Sequence, residues 1–148
     1  MRSESTLRHD PKTFFLDRCF GGYDLAELLR ANGLTIEVHK DHFNSDAEDT
    51  LWIPEVGKRG WAIITKDKRV RSRQIEIVAL LQSGQPTFVL TSGAMSASDN
   101  AKSIMAAMPQ MIACINKYPP PFVAQITAAG ALSMLATHSD LIKKLDPP

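Results

Sequence analysis

The sequence Phe14-Phe15-Leu16-Asp17 is a short apolar run that ends in an aspartate, and Trp61–Asp67 (WAIITKD) repeats that pattern in mid-chain. Runs of this length that are rich in aromatic and β-branched residues are typical of buried β-strands. Helical patterns lie between them, which favours parallel strands joined by right-handed crossovers. Ligands of such sheets bind beyond the carboxyl ends of the strands, so the two aspartates predict one shared acidic site.

The composition predicts a single soluble domain. A chain of 148 residues can bury a core without disulfides or a structural metal. The net charge of +1 gives no overall bias towards nucleic acid, membrane or an acidic partner. Cys19 and Cys114 lie far apart and outside any CxxC motif, which favours reduced thiols. The first residues lack the apolar core of a signal peptide, and no apolar run could span a bilayer. We therefore expect a cytoplasmic protein with no membrane partner.

Strand and helix signals alternate along the middle of the chain, between two polar or weakly patterned ends. We expect residues 1–12 to form a flexible N-terminal tail, residues 13–127 to form the domain, and residues 128–148 to form a C-terminal tail or helix. Alternating or continuous apolar runs predict five strands. These are Thr13–Leu16, Leu34–Val38, a run through Ile64, Pro86–Leu90 and Phe122–Ile126.

Helices are predicted between these strands from apolar residues at helical spacing. The second helix starts near Asp49, because Pro54 would kink a helix begun at Ser45. The first helix carries Leu25, Leu28 and Leu29, and the third carries Ile75, Val78, Ala79 and Leu81. The long fourth helix opens at Ser96–Asp99, and its apolar stripe consists of Ile104, Met108, Met111, Ile112 and Ile115.

A third acid is expected to join Asp17 and Asp67. In a continuous helix, Asp46 and Asp49 would share a face with the apolar Ile53 and Val56, which places Asp49 near the sheet edge. Glu55 lies on another face and is the reserve candidate. Converging carboxylates suit Mg²⁺ or Mn²⁺, which prefer oxygen ligands, and such a site can activate water against a phosphodiester. The alternative is that each aspartate is an ordinary turn or helix-start residue.

Basic residues surround Asp67 in the sequence. Lys66, Lys68 and Arg69 are candidates for contact with substrate phosphates, although a run of this kind is equally typical of a solvated surface. His39 and His42 have a spacing that zinc sites use, but no cysteine or further histidine lies nearby, which disfavours zinc.

Taken together, these residues resemble the PIN-like domain family, the nuclease fold of many toxins in toxin–antitoxin pairs. The resemblance extends from about Thr13 to Ile126 and excludes both ends of the chain. The matching stretches are Phe14–Arg18, Leu25–Gly33, Asp49–Trp52, Glu55–Trp61 and Ile64–Asp67.

The resemblance implies a three-layer α/β/α sandwich with a mainly parallel central sheet of four to five strands, and metal-dependent cleavage of RNA. Asp17 and Asp67 match the first acid and the strand-end acid of the family, and Asp49 matches its helical acid. Many relatives carry a further acid directly after the strand-end aspartate, where this chain has Lys68 and Arg69. Asp99 could supply a fourth carboxylate by its position.

The sequence therefore supports a hypothesis and two rivals. The hypothesis is a Mg²⁺- or Mn²⁺-dependent ribonuclease in which Asp17, Asp49 and Asp67 bind metal. Its partners would be RNA and an antitoxin protein, and a second copy of the chain in a homodimer is a further alternative. The first rival is a non-catalytic binding module that kept the fold and uses the segment from Ala128 for a protein partner. The second is a small-molecule phosphatase with the same metal chemistry.

Overall fold

The computed structural model of the protein describes residues 12–67, 73–91 and 95–145. The strands are β1 (Thr13–Leu16), β2 (Thr35–Val38), β3 (Ala62–Thr65), β4 (Thr87–Leu90), β5 (Val123–Ile126) and β6 (Leu132–Ala136). The helices are α1 (Asp24–Ala31), α2 (Asp49–Lys58), α3 (Gln74–Ser83), α4 (Ala97–Lys117) and α5 (His138–Lys144), with turns of 3₁₀ helix at Arg18–Phe20 and His39–Asp41. Among these helices, none has the length and apolar character needed to cross a membrane.

The strands form one six-stranded sheet in the order β2-β1-β3-β4-β5-β6. Every neighbouring pair from β2 to β5 is parallel, and β6 alone pairs antiparallel, with β5. The carboxyl ends of β1 and β3 therefore lie side by side at one edge of the sheet. This confirms the predicted α/β fold with a mainly parallel sheet, but the sheet has one strand more than the four to five expected.

Helices cover both faces of the sheet, which gives the three predicted layers. Helices α1 and α4 pack on one face, against side chains such as Phe14 and Leu16 of β1. Helices α2, α3 and α5 pack on the other face, against Phe15, Ile63 and Val89. Successive side chains of a strand point to opposite faces, so a parallel strand buried on both sides is apolar throughout. That physical reason explains why the apolar runs identified the central strands.

Helix α2 begins at Asp49, as the position of Pro54 suggested, and Pro54 lies within the helix. Asp46 therefore precedes the helix and is exposed, so the expected face shared by Asp46 and Asp49 does not exist. Gly57 brings α2 close to α3, because a Cβ atom at this position would lie 2.2 Å from the backbone oxygen of Ser83. Glycine is required here because only hydrogen fits between the two backbones.

Helix α3 was predicted from the spacing of its apolar residues, and only some of these lie in the core. Ile75 and Val78 are 65% and 41% exposed, whereas Ala79 is 2% exposed. The buried face also includes Glu76, Ile77 and Leu80. Because apolar residues occur on all sides of this helix, spacing alone could not select the packed face. The orientation of α3 turns Glu76 inward.

Two hydrogen bonds locate the ends of the described chain. Lys12 Nζ donates to Gln85 Oε1 at 2.6 Å, which links the residues that precede β1 and β4 across the amino end of β3. Gln74 Nε2 donates to the backbone oxygen of Lys144 at 2.5 Å, which joins the end of α5 to the first turn of α3. Residues 128–145, expected as a C-terminal tail or helix, thus contribute β6 and α5 to the layers.

Candidate metal centre

Asp17 directly follows β1 and is fixed from several directions. Its backbone N–H donates to the oxygen of Ile64 at 3.0 Å. Its Oδ1 accepts from the backbone N–H of Arg18 at 2.6 Å, which caps the first 3₁₀ turn. Its Oδ2 accepts from the Thr65 hydroxyl at 2.7 Å. Burial raises the pKa of the Asp17 carboxyl, and the hydrogen bond from Thr65 partly offsets that rise.

Asp67 lies two residues beyond β3 and is tied to Asp17 through the same threonine. The backbone N–H of Asp67 donates to Thr65 Oγ1 at 3.0 Å, while that hydroxyl donates to Asp17. Thr65 is buried at the end of β3, so its hydroxyl has a fixed position between the two aspartates. The neighbouring parallel strands β1 and β3 thus bring both strand-end acids to one place.

Asp49 reaches the same place from the first residue of α2. Its Oδ1 accepts from Trp52 Nε1 at 2.9 Å, across one helical turn. Arg18 Nη2 lies 3.4 Å from the same oxygen and forms a salt bridge with it. A carboxylate in the first turn is also favoured by the helix dipole.

Glu76 is the acid that the sequence analysis missed. It lies in the first turn of α3, is 3% exposed, and its Oε1 has no hydrogen-bond partner. One oxygen each from Asp49, Asp67 and Glu76 lie within 4.8 Å of one another. The signal that could have found Glu76 is its place next to Ile77 and four residues before Leu80, on the helix face that is buried.

The electrostatics of Glu76 follow from this crowding. Burial raises the pKa of the Glu76 carboxyl to about 7, and both a hydrogen bond shared with Asp49 and the charges of Asp49 and Asp67 add to the rise. Arg73 opposes it from 3.8 Å away. Like charges held together in a partly buried site repel one another until a proton or a cation joins them.

Three of the acids, Asp17, Asp49 and Asp67, line one cavity at the carboxyl ends of β1 and β3. Its lining consists of Asp17, Asp49, Trp52, Ile53, Ile63, Thr65 and Asp67. The potential metal ligands among its side chains are carboxylate and hydroxyl oxygens, the type of ligand that Mg²⁺ and Mn²⁺ prefer. An unpaired, buried carboxylate oxygen on Glu76 is a further reason to expect a cation. The residues present therefore fit a hard divalent ion.

Asp17 lines the cavity but is not one of the three acids whose oxygens lie within 4.8 Å of one another, and the remaining candidate acids join neither group. Asp99 is exposed in the first turn of α4, where its backbone N–H donates to Ser96 Oγ at 3.1 Å. Glu55 pairs with Lys58 at 3.7 Å on the outer side of α2. Asp46 is exposed ahead of that helix. The carboxylate that joins Asp49 and Asp67 comes from Glu76 of α3 and from none of these remaining candidate acids.

The predicted basic residues are only partly described. Lys66 follows β3, with its Nζ 5.6 Å from the centre of the Phe20 ring. Lys68 and Arg69, the other two candidates for phosphate contact, lie outside the described residues. Lys66 also donates its backbone N–H to Cys19 Sγ at 3.3 Å. Desolvation of the thiol and the charge of Asp17 raise the pKa of Cys19 to about 11, which disfavours the thiolate that nucleophilic chemistry requires.

The two histidines are engaged in separate contacts. His42 Nε2 lies 2.7 Å from Glu37 Oε1, and His39 Nε2 lies 3.3 Å from Arg18 Nη1. Burial lowers the pKa of His39, with the charge of Arg18 acting in the same direction, so the neutral ring accepts a hydrogen bond from the guanidinium. Within the described ranges, the acidic cluster is the only grouping of three potential metal ligands.

Comparison with known proteins yields two matches. The sequence pattern of a family described as "PIN like domain" matches residues 12–92, which is more than half of the chain. A protein of Mycobacterium tuberculosis strain H37Rv, named "Putative ribonuclease VapC45", is 25% identical over 139 residues, covering 91% of this chain and 100% of that protein. No solved structure shows a significant match.

Proposed function

Because this chain belongs to the PIN-like domain family, we propose that it is a ribonuclease that depends on Mg²⁺ or Mn²⁺. The observation that carries the proposal is the meeting of Asp49, Asp67 and the buried Glu76, whose oxygens lie within 4.8 Å of one another. The likeness to a protein named as a ribonuclease over nearly the whole chain supports the choice of substrate.

Each acid has a defined part in this function. Asp17, Asp49 and Asp67 bind the cation, and Glu76 joins them as a further carboxylate. A bound divalent cation supplies polarisation of the scissile phosphate and eases deprotonation of the attacking water. The Thr65 hydroxyl keeps the two strand-end aspartates at a fixed separation through its paired hydrogen bonds. Ile53 and Ile63 form an apolar wall that limits the water around the acids, and this strengthens the electrostatic attraction between the carboxylates and a cation.

Basic residues that flank Asp67 in the sequence hold the RNA backbone. These are Lys66, Lys68 and Arg69, whose charges neutralise phosphates without reading bases. This arrangement predicts weak sequence discrimination by these contacts and binding that weakens as salt rises. The protein acts in the cytoplasm, and an antitoxin protein restrains it, as in other toxin–antitoxin pairs of this family. A homodimer is compatible with this function.

Cleavage of RNA by the purified protein tests the proposal. A panel of structured and unstructured RNAs is incubated with Mg²⁺, with Mn²⁺ and with EDTA. We expect cleavage only with a divalent ion, and its loss in Asp17→Asn and Asp67→Asn, because an amide oxygen lacks the charge that holds the ion. Asp46→Asn is the matched control, since this exposed aspartate lies outside the cluster, and it should cut like the wild type.

Two outcomes would contradict the proposal in different ways. Cleavage that survives both EDTA and Asp17→Asn would point to another mechanism or to a contaminant. Failure to cut any RNA of the panel while divalent metal is bound would favour the non-catalytic binding module, and capture of a protein partner would then be the next experiment. Hydrolysis of small phosphate esters without RNA cleavage would favour a phosphatase.

A further inference from the structure

We propose that Trp52 is a positioning residue for the cation, because its indole N–H fixes one oxygen of Asp49 and thereby turns the other oxygen towards Asp67 and Glu76. This inference rests on the proposed metal site. It assigns to an aromatic core residue a role in metal affinity that its packing alone would not require.

The contacts of Asp49 Oδ1 carry the inference. Trp52 Nε1 donates to this oxygen at 2.9 Å, and Arg18 Nη2 approaches it at 3.4 Å. Two donors use the two in-plane lone pairs of one carboxylate oxygen. One oxygen of Asp49 lies within 4.8 Å of an oxygen of Asp67 and of Glu76. We infer that Oδ2 is the oxygen left to bind the cation, because Oδ1 is occupied by the two donors.

Trp52 is suited to this role because its indole cannot turn away. The side chain is 2% exposed and lies against the rings of Phe15 at 5.3 Å and His39 at 5.5 Å. It also lines the same cavity as Asp49. A neutral donor orients the carboxylate without bringing a positive charge that would compete with the cation. Donors that orient a metal ligand in this way commonly change metal affinity by about 10- to 100-fold.

Arg18 is the weaker of the two restraints. Its guanidinium is divided among the backbone oxygen of Ala47 at 2.6 Å, the ring of His39 at 3.3 Å and Asp49 at 3.4 Å. Its side chain is also 39% exposed, so solvent screens its charge. The short bond from a buried indole therefore has the larger effect on where Asp49 points.

The test compares Trp52→Phe with Trp61→Phe. Phenylalanine keeps the ring in the core but lacks the N–H donor. Trp61 is the matched control, because it packs on the same Phe15 ring at 6.1 Å and does not line the acidic cavity. Free Mn²⁺ is measured by electron paramagnetic resonance during a titration. We expect Trp52→Phe to raise the Kd for Mn²⁺ at least ~10-fold and Trp61→Phe to leave it within about twofold.

Fluorescence provides a second readout that does not depend on activity. The chain has two tryptophans, so Trp61→Phe leaves Trp52 as the only emitting indole. Titration of this variant with diamagnetic Mg²⁺ should change the emission and saturate with the Kd found by competition with Mn²⁺. Trp52→Phe, which emits from Trp61, should show no such change. If Trp52→Phe does not fold, as judged by circular dichroism, the emission of Trp61→Phe decides alone.

The outcomes separate this inference from the proposal on which it rests. A folded Trp52→Phe protein that binds Mn²⁺ as tightly as Trp61→Phe overturns the role of Trp52 and leaves the metal site intact. The same holds if Trp52 emission ignores a cation that binds. A Trp61→Phe protein that takes up no Mn²⁺ at all overturns the metal site itself, and the positioning role with it.

Discussion

Replacing Glu76 by glutamine should make the metal-free protein more stable above neutral pH. Glu76 is buried, its Oε1 lacks a hydrogen-bond partner, and it faces Asp49 and Asp67. Ionising it therefore places a third negative charge in a site that water reaches poorly. Glutamine keeps the shape of the side chain and removes that charge, so the substitution relieves repulsion that the folded state alone experiences.

The magnitude follows from the pKa of the group. Glu76 has a pKa of about 7 in the folded protein, against 4.5 for an ordinary glutamate. The folded protein holds this proton more tightly than the unfolded chain, so the free energy of unfolding falls as pH rises from about 4.5 to about 7. At about 1.4 kcal/mol for each pKa unit, the loss is about 3 kcal/mol once the group is ionised. Glu76→Gln should recover up to this amount at about pH 8.

Urea denaturation in EDTA, at pH values from about 5 to about 8, measures the effect. The free energy of unfolding of the wild type should fall across this range, and that of Glu76→Gln should fall less. In thermal denaturation at about pH 8, Glu76→Gln should melt roughly 6–12 °C higher than the wild type. Glu55→Gln is the matched control. It removes the same charge from a glutamate outside the cluster, paired with Lys58 on α2, and should change stability by less than about 0.5 kcal/mol.

Addition of Mg²⁺ should then reverse the ranking, because the ion stabilises the wild type more than a variant that has lost one carboxylate. The reasoning is refuted if Glu76→Gln, in EDTA and above neutral pH, is no more stable than the wild type while Glu55→Gln behaves as expected. It is also refuted if both proteins gain equally from the ion.

Three further predictions concern the frame around the site. Gly57→Ala should lower the free energy of unfolding by at least about 2 kcal/mol in urea denaturation, because its Cβ would lie 2.2 Å from the oxygen of Ser83. Gly22→Ala is the control, since the nearest atom is 4.0 Å away, and it should lower that free energy by about 1 kcal/mol or less. Equal losses in the two variants would contradict the argument. Thr65→Val should lower stability by about 1–3 kcal/mol and weaken Mn²⁺ binding, whereas Thr65→Ser, which keeps the hydroxyl, should bind Mn²⁺ like the wild type. Lys66→Ala should weaken RNA binding for all sequences alike and reduce the slope of log affinity against log salt by about 1; an unchanged slope would place this lysine away from the RNA.

The parts of the fold that depend on local sequence were predictable. The strand β1 was predicted with its observed limits, and β3 and β4 were placed correctly, because buried parallel strands must be apolar on both faces. The adjacency of Asp17 and Asp67 then followed from topology, since parallel strands end at the same edge. Strand β6 was missed because it lies at the edge of the sheet, where only Ala136 is fully buried and the apolar signal is weak.

The fourth carboxylate required the tertiary structure. The spacing of Glu76 from Ile77 and Leu80 was the only local signal, and it could not be used without knowing which face of α3 is buried. The direction of Glu76 depends on which face of α3 meets α2, and the close approach at Gly57 helps to set that contact. The choice of Asp49 over Asp46 could be made from the sequence, because Pro54 limits how early α2 can begin and the helix does start at Asp49. Acids that follow the carboxyl ends of neighbouring parallel strands can be brought together from the sequence alone. An acid on a helix can be placed only when the packing of that helix is known.

The places where the described residues begin and end, at Lys12 and after Lys144, have a practical consequence for handling the protein. The chain enters the sheet at Lys12, bonded to Gln85 just ahead of β4, at the edge opposite the acids. It leaves α5 at Lys144, bonded to Gln74 two residues from Glu76. An affinity tag or fluorophore fused after α5 would be attached a few residues beyond Lys144 and so close to the candidate metal centre. A polyhistidine tag there would bring its own metal ligands to the assay. Purification and immobilisation should use the N-terminal side.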